Sequence, residues 1–99
     1  MKNEDYYVYM LTNRNNKVIY VNMINDRAIQ TFANTRSLIE AYRKKYKVSK
    51  LVYYESASDI GTAIEREKEI STMKREGKNK LVEKMNPKWI DLMHHLIKQ

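Results

Sequence analysis

Two short runs dense in aromatic and β-branched residues open the chain. They are Tyr7-Val8-Tyr9-Met10-Leu11 and Val18-Ile19-Tyr20-Val21-Asn22, separated by Asn13-Arg14-Asn15-Asn16. Such residues suit a pleated, half-buried surface and Asn tolerates turn conformations, so the pattern predicts a β-hairpin. Tyr9 and Tyr20 are equidistant from the middle of the turn, which in a regular hairpin sets them opposite each other on one side of the sheet. The hydrophobic period then changes. Asn25 or Asp26 caps a helix carrying Ala28, Ile29, Phe32 and Ala33 on one face and ending near Asn34. Ser37, with Glu40 three residues on, forms a capping box for a second helix whose Leu38, Ala41 and Tyr42 face inward. Lys50-Leu51-Val52-Tyr53-Tyr54-Glu55 reads as a third strand.

The clearest helix follows, with Ser58 as its cap and Ile60, Ala63, Ile64, Ile70 and Met73 along one face. Gly61 weakens its first turn, and Gly77 is the expected stop. A short helix around Leu81, Val82 and Met85 precedes Asn86-Pro87, which opens a last helix with Trp89, Met93 and Leu96 inward. The expected architecture is a single α/β (α+β) domain over residues 1–99, a three-stranded antiparallel sheet flanked by helices. Glu67 interrupts the helical stripe, four residues after Ala63 and three before Ile70. A carboxylate on a buried stripe must be paired, protonated or bound to a cation, and a salt bridge to a nearby Lys or Arg is the ordinary solution.

Composition narrows the function classes. Without cysteine there is neither a disulfide framework nor a thiolate metal site, which fits a reducing, cytoplasmic setting. No apolar run has the length of a membrane span, so no membrane partner is expected. The net charge of +7 and pI near 9.6 fit a nucleic-acid partner, DNA ahead of RNA. The basic residues cluster: Arg36, Arg43, Lys44 and Lys45 lie in one segment, and Lys74, Arg75 and Lys78 in another. These are the candidate nucleic-acid contacts. His94 and His95 are adjacent on a helix, point apart, and read as surface histidines.

Taken together, Tyr7-Val8-Tyr9, Ile19-Tyr20-Val21-Asn22, Lys44-Lys45-Tyr46, the third strand, Ala63 to Ile70 and Asn86-Pro87-Lys88-Trp89 resemble the ordered motifs of the GIY-YIG endonuclease superfamily. The match covers nearly the whole chain and is nearest the small bacterial branch related to the nuclease module of the DNA-repair excinuclease C subunit. The resemblance implies the GIY-YIG nuclease fold, with Tyr9 and Tyr20 as the motif tyrosines, one of which activates the attacking water. It also implies that Glu67 holds one divalent cation, usually Mg²⁺, against the scissile phosphate, and that Asn86 is the late polar residue. A base for water and a cation for developing charge are the usual needs of phosphodiester hydrolysis.

The chain departs from that pattern in one region. Asn22 stands where the family has glycine, Ile24 where threonine is common, Gln30 where an arginine is expected and Asn34 where a histidine often follows. Gln30 carries no charge, and losing a preorganised electrostatic donor costs on the order of 10²–10³ in rate. Arg27, one helical turn earlier, is the candidate substitute. The expected function is therefore nucleic-acid binding on a nuclease scaffold with an impaired or inactive catalytic site. The alternatives are an active metal-dependent endonuclease on single-stranded or branched DNA and a non-catalytic protein-interaction module.

Overall fold

The computed structural model describes residues 5–25, 40, 44 and 50–92. The helices expected between Asn25 and Lys50, the helix expected to continue through Met93 and Leu96, and Arg27, Gln30, Arg36, Arg43, Lys45, His94 and His95 lie outside the described residues. Within them, strands β1 (Tyr6–Thr12), β2 (Ile19–Asn25) and β3 (Lys50–Ala57) form one antiparallel sheet in the order β2-β1-β3. Helices α1 (Ile60–Thr72) and α2 (Arg75–Met85) follow. The small α+β architecture read from the pattern is the one observed.

Side-chain alternation explains the core. Strand β1 is central and buried from Tyr7 to Thr12, so it must be apolar on both sides. Tyr7, Tyr9 and Leu11 join Leu51 and Leu92 in one cluster, with Tyr20, Ile24 and Tyr54 packed against it. Val8 and Met10 join Val52, Tyr53, Ala63, Ile70 and Val82 in the other. Helices α1 and α2 thus bury their residues on the Val8/Met10 face. An irregularity between Met10 and Leu11 leaves Val52 as an extra residue, since Met10 pairs with Tyr53 and Leu11 with Leu51. That β-bulge puts the successive residues Val52 and Tyr53 into the same cluster. Met10, Leu11, Leu51 and Ile70 are fully buried, each contributing about 1.5–3 kcal/mol of hydrophobic stabilisation.

The hairpin register differs from the expected one. Asn13 Oδ1 accepts from the backbone N–H of Lys17 at 2.8 Å and of Val18 at 3.2 Å, drawing both residues into the loop. Asn16 closes the turn at φ 61°, a left-handed conformation that Asn tolerates, with its N–H on the Asn13 carbonyl at 3.0 Å. Pairing therefore begins at Thr12 and Ile19, so Tyr9 faces Asn22 and Tyr20 faces Leu11. Tyr9 and Tyr20 are diagonal neighbours on a shared face, not a direct pair.

Helix boundaries also move. Asp59, not Ser58, caps α1: its Oδ1 accepts from the Thr62 N–H at 2.8 Å and its Oδ2 from the Thr62 hydroxyl at 2.9 Å. These bonds hold the Asp59 carboxyl below its ordinary pKa. Extended backbone at Met73 and Lys74 ends the helix before Gly77, which falls inside α2. Ile60 and Ile64 are exposed, at 52% and 39%, so the inward stripe narrows to Ala63 and Ile70. Asn86 is the C-cap of α2 rather than the start of a helix, and Pro87 and Lys88 form a turn.

Candidate functional site

The tyrosine face keeps part of the expected constellation. Tyr9 is buried at 4% exposure, Tyr20 is half-buried, and Asn22 lies directly across from Tyr9 in the ladder. Asn22 Oδ1 accepts from the Met23 N–H at 2.8 Å. The structure thus brings Tyr9, Tyr20 and Asn22 together on one side of the sheet.

Glu67 belongs to α1, whose buried residues pack on the opposite face. It is half-buried and accepts from the Ser71 hydroxyl at 3.4 Å; among the described residues it forms no ion pair, so the expected salt bridge is absent. The neighbouring Arg66 takes the salt bridges instead. One carboxylate fits a Mg²⁺ ion held mainly through water and phosphate oxygens. No cluster of three or more His, Cys, Asp or Glu side chains occurs among the described residues.

Asn86 has a different place from the one its motif position suggests. It is 4% exposed and its amide is saturated within the fold. Nδ2 donates to the Val52 carbonyl at 3.1 Å and to the Ile90 carbonyl at 2.8 Å, while Oδ1 accepts from the Ile90 N–H at 3.1 Å. Around it, the Leu92 N–H donates to Leu51 O at 2.7 Å, Leu51 N–H to Asp91 Oδ1 at 3.1 Å, and Lys50 Nζ to Trp89 O at 2.9 Å. Asn86 is the centre of a clasp that laces residues 86–92 onto the outer edge of β3. It has no donor left for a phosphate.

A polar constellation that the sequence pattern did not single out sits between β3 and α1. Arg66 Nε bridges both Glu55 carboxylate oxygens at 3.0 Å, and Nη1 reaches Glu69 Oε1 at 2.9 Å. The Tyr53 hydroxyl donates to Glu55 Oε1 at 2.5 Å. Burial first, and the bond to anionic Glu55 second, push the Tyr53 pKa up from 10.0 to about 12. The same carboxylate, opposed by desolvation, raises the already high pKa of Arg66. The available signal was Tyr53 and Glu55 two residues apart on a strand, hence on one side, with Arg66 on the helix that follows. This group borders a 340 Å³ pocket completed by Tyr54, Leu81, Lys84 and Met85.

Basic residues distant in sequence also meet. The Arg75 guanidinium donates to the carbonyls of Lys17, at 2.8 Å, and of Asn16, while its Nε donates to Asn79 Oδ1 at 2.8 Å. The hairpin loop with Arg14 and Lys17 is thereby fastened to the start of α2, where Lys74 and Lys78 lie. Arg75 is an anchor with donors already engaged. The side chains of Arg14, Lys17, Lys74 and Lys78 form no ion pair among the described residues. Of the first basic segment only Lys44 is described, helical and exposed.

Among the described residues no helix is long and apolar enough to cross a membrane. No family model, curated protein or solved structure matches this chain.

Proposed function

We propose that this chain is a nucleic-acid-binding protein built on the GIY-YIG nuclease scaffold, with a degenerate hydrolytic site. The observation that carries the reading is the basic surface made by the Arg75 bridge, where Arg14, Lys17, Lys74 and Lys78 come from two separate elements. Unpaired surface cations on a chain of charge +7 attract phosphate, and binding to it releases counterions. DNA is the favoured partner, with RNA as the comparison. The three-stranded sheet and the shared face of Tyr9 and Tyr20 support the scaffold assignment. Asn22 across from Tyr9, together with Gln30 in the sequence, supports the degenerate site. Glu67 would be the protein ligand of a divalent cation, which in this chemistry supplies charge stabilisation at the phosphate.

The test is fluorescence anisotropy with single-stranded, branched and duplex DNA and with RNA, between 50 mM and 200 mM salt. Four phosphate contacts predict a fall in affinity of about 100-fold over that range. Lys17→Ala with Lys74→Ala should weaken binding to all sequences alike. Binding indifferent to salt, or none to any nucleic acid, overturns the proposal. Mg²⁺-dependent cleavage by the wild type that Glu67→Ala abolishes would replace the degenerate reading with an active nuclease.

A further inference from the structure

The pocket between β3, α1 and α2 has two unlike sides. Tyr54, Leu81 and Met85 give it an aromatic and apolar side, and Met85 is 45% exposed, unusual for a large apolar side chain. On the other side are Tyr53, Glu55 and Arg66, locked together by their own hydrogen bonds. The Glu55 side chain keeps 29% exposure, and a carboxylate has about four lone-pair sites, so it can accept further bonds. Arg66 is bound to Glu55 and Glu69, which leaves Lys84 as the exposed cation of the lining, without an ion pair among the described residues. The 340 Å³ volume lies within the range of small-molecule sites.

A flat hydrophobic contact, a fixed acceptor and a free cation together suit a planar heterocycle that carries N–H donors and a phosphate. Among the nucleobases, guanine places two adjacent donors, its N1–H and N2–H groups, where one carboxylate can accept both. We propose that this pocket is a nucleotide subsite that takes a guanine base against Tyr54, Leu81 and Met85, with its N–H edge on Glu55 and its 5′-phosphate on Lys84. The inference rests on the nucleic-acid reading above and adds a base-recognising site to it. Arg66 is a positioning residue here, since it holds the Glu55 carboxylate in place. Base stacking on aromatic side chains is the general means by which proteins hold unpaired nucleotides.

The experiment is amide chemical-shift titration of the full chain with 5′-GMP, guanosine and 5′-UMP, and separately with guanine-containing and all-thymine single strands. The expected result is GMP-dependent shifts at Tyr54, Glu55 and Lys84, with UMP weaker. Lys84→Glu, on the exposed surface, should weaken GMP about tenfold and leave guanosine within about twofold, because only the phosphate contact is lost. Glu55→Gln should weaken GMP and guanosine alike. Equal responses to GMP and UMP, no shifts at these residues, or equal losses of GMP and guanosine in Lys84→Glu would overturn the subsite. If those results come with salt-sensitive DNA binding intact, the subsite fails and the nucleic-acid reading stands. If GMP binds as described and no strand does, the pocket is a free-nucleotide site and the strand-binding reading fails. A guanine-containing strand that outcompetes the thymine strand, with the preference lost in Lys84→Glu, supports both.

Discussion

Replacing Asn86 by Ala separates a structural amide from a catalytic one. The amide makes three hydrogen bonds to two segments, the Val52 carbonyl on β3 and both backbone groups of Ile90. Each contributes about 1 kcal/mol net, so Asn86→Ala should destabilise the fold by about 3 kcal/mol. The site is only 4% exposed, so water cannot readily take over the orphaned groups. The clasp also holds Trp89 at φ 55°, a conformation that costs a bulky residue about 1–3 kcal/mol and persists only when its surroundings enforce it. For a domain of this size the loss corresponds to a melting temperature lower by about 10–20 °C. Urea unfolding followed by circular dichroism measures it directly. Asn86→Asp keeps the acceptor for the Ile90 N–H but turns a carboxylate oxygen toward two carbonyls. That repulsion raises the new carboxyl's folded-state pKa, so the variant should be stabler in mild acid and lose stability as pH rises through that value. A destabilisation under about 1 kcal/mol in Asn86→Ala would refute the clasp, because a residue serving only a surface reaction typically leaves stability within about 0.5 kcal/mol.

Two further outcomes follow from the network and the bridge. The folded-state pKa of Tyr53 is raised from 10.0 to about 12, so its contribution is complete below pH 10 and is lost as pH climbs toward 12. At about 1.4 kcal/mol per unit this is roughly 2–3 kcal/mol, read as the stability difference between wild type and Tyr53→Phe shrinking across that window; a constant difference contradicts it. Arg75→Ala should speed amide exchange in the hairpin loop and cost about 1 kcal/mol, while Arg75→Lys should not restore it, since a point charge cannot span the Asn16 and Lys17 carbonyls together. Unchanged loop exchange in Arg75→Ala would show that the bridge holds nothing.

The strands and their order of faces were legible because period-two alternation survives a change of register. Sliding the hairpin pairing from Tyr9–Tyr20 to Tyr9–Asn22 keeps every side chain on its own side. What was not legible depends on contacts between distant segments. Asn13 captures two backbone N–H groups five residues or fewer away, a choice among several adjacent Asn residues that composition cannot rank. Gly77 looked like a helix stop because Gly usually is one, yet the break comes from extended backbone at Met73 and Lys74. Asn86 before Pro87 looked like an N-cap, and only its reach to Val52, 34 residues earlier, makes it a C-cap and clasp. The Arg66 network was hidden for the same reason, since its partners lie on different elements.

On the proposed nuclease scaffold, Asn22 shows why chemistry can decay while the fold persists. Among the described residues only Asn16 and Trp89 have positive φ, so position 22 does not need glycine for its backbone. A family glycine there serves space, not conformation. Asn22 costs the ladder no strain, satisfies the Met23 N–H with its own carbonyl, and puts a side chain beside Tyr9. Substitutions of that kind escape any selection acting through stability. The clasp at Asn86 is the opposite case: it bears on stability directly, and so it can outlast the reaction.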